Sequence, residues 1–434
     1  MKRTVYAQFL RWKNNPHRKP LVIKGARQVG KTWLMKEFGK NEYRSAAYLN
    51  FEKTTQLATL FEQDFDIQRI LSSVQLITGI VPVPGETLII FDEIQSVKRG
   101  LLSLKYFQED APEYHIVAAG SLLGISNHEG DSFPVGKVDF LNLYPLTFFE
   151  FMDALSKNAL LEALRNQDWS LISPFKQQYI DLLRLYYYVG GMPEAVSRFA
   201  ENGNFAEVRE VQNSILNAYD SDFSKHPPIT VVPRIKMVWD AIPTQLAKEN
   251  KKFIFGALKS GGRAKDFEVA ILWLTEAGLL HKVDRCVNAE LPLGGFADAV
   301  AFKLYLLDVG LLGAMAGLDP QTLLNGNAFF TQYKGAFTEQ YVLQQLVAEI
   351  TPSVYYWAAS EGKAEVDFLI QAGNAVLPIE VKAEENLKSK SLKSFRDKFH
   401  PAITVRTSMA DYRESDGFVN VPLYGIGLLP EIVK

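Results

Sequence analysis

Gly25-Ala26-Arg27-Gln28-Val29-Gly30-Lys31-Thr32 is the stretch from which the rest of the chain is read. It fits G-x-x-x-x-G-K-[ST], and it stands where that pattern has physical meaning. Before it, Leu21-Val22-Ile23 is an apolar run that reads as a buried strand. After it, Trp33-Leu34-Met35-Lys36-Glu37-Phe38 reads as a helix stopping at Gly39. Glycines let the backbone curl until successive N–H groups point inward, and the helix N-terminus adds partial positive charge, so the loop suits phosphate. Lys31 would reach the β- and γ-phosphates of a nucleotide, and Thr32 would ligate Mg²⁺. A plain glycine turn before an ordinary helix is the alternative, and the strand–loop–helix context argues against it.

The chain around this loop has 434 residues, too many for one ordinary core, which predicts about three domains. Its 47% hydrophobic and 22% charged residues are those of a soluble globular protein. A net charge of −2 does not announce a nucleic-acid binder, although a local basic surface stays compatible with it. The single cysteine, Cys286, excludes an internal disulfide and a multi-cysteine zinc site, which suits a cytoplasmic location. Met1 to Tyr6 lacks the apolar core of a signal peptide, and no run of 18 apolar residues predicts a membrane span. The six histidines are scattered without metal-ligand spacing.

Ala46 to Phe51 reads as a second strand and Phe61 to Gly79 as a helix with apolar residues at helical spacing. Leu88-Ile89-Ile90-Phe91-Asp92-Glu93 is an apolar run ending in two carboxylates, as expected of a parallel strand buried on both faces whose C-terminal end meets a ligand. About 60 residues after a phosphate loop, Asp92 is expected to hold Mg²⁺ through water, and Glu93 to orient and polarise an attacking water. His115 to Ser121 reads as a further strand. Ser121 either hydrogen-bonds the γ-phosphate or caps the next turn. Val138 to Leu143 completes the sheet, before Pro145 and a helix from Thr147.

GARQVGKT, LIIFDEIQ, AAGSLLG and LYPLTFFEF, in this order, resemble an AAA-type ATPase domain. The likeness is to the domain heading a large, mostly prokaryotic family of predicted ATPases. There the ATPase is followed by a domain of unknown function, often with a restriction-endonuclease-like end. The resemblance spans essentially the whole chain and implies ATP as the nucleotide. Arg99 and Arg27 are candidates for a trans-acting arginine finger by proximity in sequence alone.

Residues 147–225 read as helices broken at Gly190-Gly191-Met192-Pro193, which predicts a helical lid. Leu185 to Ala195 and Phe302 to Leu312 resemble signatures of the same family, and neither carries visible chemistry. Ile235 to Cys286 has the order of a winged helix-turn-helix, with helices at Val238–Leu246, kinked or restarted at Pro243, and at Lys265–Ala277. Leu279–Val283 would begin the wing. The second helix carries Asp266, Glu268 and Glu276, which repel phosphates, so packing against protein is as natural a use as DNA contact.

The second chemical constellation is Glu365-Val366-Asp367-Phe368-Leu369-Ile370 with Ile379-Glu380-Val381-Lys382, joined through a Gly373-Asn374 turn. A two-residue loop there sets Asp367 opposite Glu380 and Glu365 opposite Lys382, all four on one face. Facing carboxylates destabilise a sheet unless a positive group joins them, and a divalent cation is the expected solution. Glu339, a lone acid on the stripe of Ala336, Leu343 and Leu346, would join them. The set resembles the PD-(D/E)xK nuclease motif. The resemblance makes Asp367 the first metal carboxylate, Glu380 and Lys382 the E-x-K pair, and Glu339 the preceding helical acid, with Mg²⁺ or Mn²⁺ activating water against a phosphodiester. Val366 stands where the motif has Pro. A plain amphipathic hairpin with a Lys382–Glu365 pair is the alternative.

The expected architecture is α/β and multidomain: a P-loop AAA-type parallel sheet over 1–150, a helical lid over 151–230, a winged helix over 231–290 and a restriction-endonuclease-like domain over 291–434. The expected activity is ATP hydrolysis coupled to a nuclease-like module acting on nucleic acid, DNA ahead of RNA. The rival is a nucleotide-dependent switch or scaffold that binds protein, nucleic acid or itself. No membrane partner is expected.

Overall fold

The computed structural model describes residues 1–120, 134–225, 227–248, 251–324, 331–350, 353–359, 364–385 and 390–433. They fall into two compact units, 2–144 together with 276–278, and the remainder.

The first unit runs α1 (Tyr6–Asn14), β1 (Leu21–Lys24), α2 (Lys31–Glu42), β2 (Ser45–Asn50), α3 (Gln56–Gln63), α4 (Ile67–Thr78), β3 (Thr87–Asp92), α5 (Gly100–Asp110), β4 (His115–Ala119) and β5 (Asp139–Asn142). Its strands form one sheet in the order β2-β3-β4-β1-β5, every pairing parallel. Leu88 to Phe91 and Ile116 to Ala119 are fully buried because these strands are covered on both faces. Ala47, Leu49, Phe51, Ile89 and Phe91 face a core with Ile70, Leu104 and Phe107. The alternating residues Ala46, Tyr48 and Asn50 of β2 point to the other face.

Two local expectations are corrected. Gly39 does not stop α2, which continues to Glu42; a Cβ at Gly39 would lie 2.7 Å from the Ala46 Cβ, so the glycine serves close helix–sheet packing. The single helix expected over Phe61–Gly79 is two, because Asp66 caps α4 by accepting from the Arg69 N–H at 2.7 Å. The basic, polar start of the chain contains α1, which buries Phe9 and Trp12.

The second unit opens with helices α6 (Phe148–Ala154), α7 (Asn158–Arg165), α8 (Trp169–Ile172), α9 (Lys176–Val189), α10 (Pro193–Asn202), α11 (Phe205–Lys225), α12 (Val232–Leu246) and α13 (Ala264–Glu276). Thr147 and Glu150 form a reciprocal capping box at the start of α6. Pro243 lies inside α12 without dividing it. Then come β6 (Leu280–Cys286), β7 (Ala297–Leu306), α14 (Val309–Met315), α15 (Pro320–Leu324), α16 (Thr331–Gln345), β8 (Tyr355–Ala358), β9 (Glu365–Ala372), β10 (Ala375–Val381), α17 (Lys390–Phe399), β11 (Thr404–Ser408), β12 (Arg413–Ser415), β13 (Phe418–Pro422) and α18 (Leu429–Ile432).

All eight strands make one sheet, ordered β12-β13-β11-β10-β9-β8-β6-β7. β6 and β7 therefore pair across the boundary expected at residue 290, and β6 continues into the C-terminal sheet through its parallel pairing with β8. The β9–β10 register is the one read from the Gly373-Asn374 turn: Ala375 faces Ala372 and Ile379 faces Phe368, a register that, carried one residue further, sets Asp367 across from Glu380. Gly373 takes φ +58° at that turn. Helix α16 is stitched to its surroundings by glutamines. Gln340 both accepts from the N–H and donates to the C=O of Leu306, and Gln345 accepts from the N–H of Phe148. Among the described residues, no helix is long and apolar enough to cross a membrane.

Candidate functional site

In the first unit, β1 ends where the chain must turn back over the sheet. Gly25 takes φ +149°, Gln28 +68° and Gly30 +95°, left-handed values that curl the loop. At Gly25 no other residue fits, since a Cβ would stand 2.2 Å from the Leu143 carbonyl oxygen. Ala26 and Val29 are buried under the loop, while Arg27 and Gln28 are exposed on it. Arg3 braces the loop from below, its guanidinium donating to the carbonyls of Val29 at 3.2 Å and Tyr144 at 2.6 Å.

Gly30 is the N-cap of α2, so Lys31 and Thr32 occupy the first turn. Lys31 is 7% exposed, and its ammonium donates to the carbonyls of Gly25 and Ala26, both at 2.8 Å. Burial lowers its pKa to about 8, against the opposing pull of Glu93 and Asp92. Thr32 Oγ1 donates to Asp92 Oδ2 at 2.8 Å, bringing the phosphate loop and the end of β3 together. Asp92 is 2% exposed, and its Oδ1 is buried without a hydrogen-bond partner. Glu93 follows at φ +53°, accepting from Gln95 Nε2 at 2.6 Å.

These residues fit a nucleotide with its divalent ion. The loop supplies N–H groups at a helix N-terminus, Lys31 supplies a cation, and Thr32 with Asp92 supplies oxygens, one of them an orphan. Ser121 lies outside the described residues. The Arg99 guanidinium donates to the Glu62 carbonyl at 3.0 Å and covers the Phe65 ring at 4.3 Å, so it is packed on its own unit.

The second constellation assembles at one end of the eight-stranded sheet. Asp367 on β9 accepts from the Val381 N–H of β10 at 2.8 Å. Glu380 and Lys382 pair at 2.7 Å, and Glu380 Oε2 is buried without a partner. Glu339 on α16 accepts from the Tyr305 hydroxyl at 3.1 Å. Two further lysines stand among these carboxylates: Lys251 pairs with Glu339, and Lys303, 1% exposed on β7, pairs with Glu365 at 2.5 Å. The Lys382–Glu365 pair weighed from the sequence is therefore absent, since each partner has taken another. Among the described residues, no three His, Cys, Asp or Glu side chains are grouped to hold a metal ion.

The electrostatics follow from this packing. Burial raises the Asp367 pKa well above the aspartate range, and repulsion from Glu339 and Glu380 adds to it. Burial alone would lower Lys303, but Glu339, Glu365 and Asp367 outweigh it and hold the ammonium above its ordinary pKa. Burial opposes ionisation of Glu339 too, and Lys251 and Lys303 overcome it. Sequence reasoning missed Arg3, Tyr48, Lys251 and Lys303. Only Lys303 left a signal, as a lone cation inside an apolar strand.

Comparison with known proteins agrees with the first unit. Residues 17–152 match the family model described as an AAA domain. Residues 180–322 and 334–426 match two domains of unknown function, DUF8612 and DUF4143. No curated protein matches. Among solved structures, the chain is similar to a Walker-type ATPase of Pyrococcus abyssi (14% identity, TM-score 0.45), with 73% of this chain and 95% of that one covered. It is also similar to the Orc1 protein of Aeropyrum pernix in complex with DNA (12% identity, TM-score 0.28), covering 73% and 93% respectively. A third is the Cdc6p of Pyrobaculum aerophilum (13% identity, TM-score 0.26), covering 75% and 96%. Residues 17–152 thus carry an AAA-type P-loop ATPase domain, followed by two segments whose families have no assigned function.

Proposed function

We propose that the first unit binds ATP with Mg²⁺ and hydrolyses it. The observation that carries this is the Thr32–Asp92 hydrogen bond, with Asp92 Oδ1 left buried and unpartnered beside it. Gly25 to Thr32 would enclose the phosphates, Lys31 would neutralise their charge, and Thr32 and Asp92 would hold the ion, which polarises the γ-phosphate when bound. Glu93, at the mouth of β3, would orient the attacking water and take its proton. Steady-state ATP turnover of the full chain, with Mg²⁺ and with EDTA, tests this. Mg²⁺-dependent release of phosphate is expected, and none in either condition rejects it.

For the second unit we propose a nuclease-like module acting on nucleic acid, DNA ahead of RNA. Supporting it are the α16–β8–β9–β10–α17–β11 order and the gathering of Glu339, Asp367, Glu380 and Lys382 at one sheet end. Asp367, Glu380 and Lys382 are the proposed reacting groups. A second reading is favoured by a specific observation. Lys251 already pairs with Glu339 and Lys382 with Glu380, two of the three carboxylates that a cation would join, which suits a module that binds without cutting and reports the nucleotide state to protein, nucleic acid or another copy of the chain. Residues 151–230 as a helical lid and 231–290 as a winged helix belong to this proposal. The exposed Glu268, Val269, Leu272 and Glu276 on α13 suit protein contact better than phosphate. Cleavage of DNA and RNA with Mg²⁺ or Mn²⁺, beside ATP turnover with and without each nucleic acid, separates the readings: cleavage supports the first, and stimulated turnover without cleavage the second.

A further inference from the structure

Asp92 Oδ2 accepts two hydroxyl hydrogen bonds, not one. Thr32 supplies the first, and Tyr48, on the neighbouring β2, supplies the second at 2.8 Å. Tyr48 is itself directed. Asn50 Nδ2 donates to its phenol oxygen at 3.3 Å, so the single phenol proton is committed to Asp92. The parallel register sets Asn50 beside Asp92, and Tyr48 lies two residues earlier on the same face. Lys36, one turn along α2 from Thr32, holds the Tyr48 ring from above, its ammonium 3.7 Å from the centroid.

We infer that Tyr48 is a positioning residue for the divalent ion that accompanies the nucleotide: by saturating Oδ2 it fixes the rotation of the Asp92 carboxylate and leaves Oδ1 as the oxygen free to serve the ion. This rests on the ATP–Mg²⁺ reading above. The physical reason is that a nearly buried carboxylate turns until its oxygens find donors. With Thr32 alone, either oxygen can accept and the other is left to rotate. With Tyr48 and Thr32 both on one oxygen, the orphaned Oδ1 is held in place before any ion arrives, so less ordering has to accompany ion binding. A tyrosine serving packing alone would need none of this relay, and its loss would not distinguish the ion from the nucleotide.

The test is Tyr48→Phe in the full chain, which keeps the ring and its contact with Lys36 and deletes only the hydroxyl. Turnover is measured against Mg²⁺ concentration, and nucleotide affinity is measured in EDTA, beside a melting curve. The Mg²⁺ needed for half-maximal turnover is expected to rise about tenfold or more, the scale of one hydrogen bond to a charged group. Turnover at saturating Mg²⁺ should return to within about twofold of wild type, and affinity in EDTA should not change. An unshifted Mg²⁺ curve overturns the inference, as does an equal loss of affinity in EDTA. A large drop in melting temperature assigns Tyr48 to packing and overturns it too. Wild-type protein without Mg²⁺-dependent turnover removes the underlying ATPase reading first, and the inference falls with it.

Discussion

The backbone N–H of Gly191 donates to Asp308 Oδ2 at 2.6 Å, tying the end of α9 to the start of α14. Two sequence signatures without chemistry meet here. Asp308 is fully buried and also accepts from the Leu311 N–H and the Gln344 amide, both at 3.0 Å. The joint tolerates no side chain: a Cβ on Gly191 would lie 2.1 Å from the Leu146 carbonyl oxygen, and one on Gly310 would lie 2.6 Å from the Gly190 nitrogen. Gly191→Ala should therefore destabilise the second unit by on the order of 3 kcal/mol, the scale of an overpacked core. Urea unfolding of the full chain measures it, and a change within about 0.5 kcal/mol would mean that the joint yields.

Lys31→Ala should abolish tight ATP binding. The ammonium that would meet the β- and γ-phosphates is lost, and a methyl group cannot replace it. Titration with a fluorescent ATP analogue reads this directly. Affinity equal to that of the wild type would remove Lys31 from the phosphate site.

Glu93→Gln should keep ATP bound and slow its hydrolysis by at least roughly 10²-fold, the scale of a lost general base. The amide retains the size and one acceptor but cannot take a proton. Single-turnover hydrolysis of prebound ATP makes the comparison, and near-normal rates would place water activation on another residue.

Asp367 gives a pH prediction with a definite sign. Its folded pKa is raised, so the folded chain holds the proton more tightly than the unfolded one. The stability this contributes is complete below the ordinary aspartate value, about pH 4, and is lost as pH rises through the folded pKa. Asp367→Asn keeps the site neutral throughout, so it should raise the melting temperature near pH 8 and flatten the decline from acid to alkaline pH. A variant that melts lower than wild type at pH 8 would mean that the ionised carboxylate stabilises the fold.

Chelation gives the companion result. A cation bridging Asp367 and Glu380 would make the chain melt lower in EDTA. On the reading in which the module binds without cutting, Lys251, Lys303 and Lys382 take the cation's place among these carboxylates, and EDTA and Mn²⁺ should each leave the wild-type melting of the second unit unchanged. Lys303→Met, which removes the buried ammonium that faces Glu339, Glu365 and Asp367, should lower it sharply. A clear Mn²⁺ stabilisation of the second unit in wild type would restore the bridging ion.

The sequence spoke most clearly where a local constraint was strong. The left-handed turns of Gly25 and Gly30, the doubly buried run Leu88 to Phe91 and the Gly373-Asn374 turn each restrict the backbone within a few residues, so the phosphate loop, the buried strand and the hairpin register were legible. What stayed hidden depends on distant partners. Lys251 and Glu339 are 88 positions apart, and Lys303 and Glu365 are 62 apart, so nothing local marks them as charge partners. Two facing carboxylates imply a positive neighbour, but not whether it is a metal or an ammonium. Tyr48 was invisible for a related reason: in Ala46-Ala47-Tyr48-Leu49-Asn50 it has the ordinary alternation of an edge strand, and only the parallel register with β3 aims its hydroxyl at Asp92.

The pairing of β6 with β8 limits where this polypeptide can be cut or recombined. A fragment beginning near residue 325 would carry Asp367, Glu380 and Lys382 but not the strands at 280–286 and 297–306. It would present the bare N–H and C=O groups of β8 to solvent, an invitation to pair with other molecules and aggregate. It would also strip Lys303 from Glu365. Swapping the C-terminal module between relatives should accordingly succeed only when the exchange point lies upstream of residue 280, so that the strands travel with the site they complete.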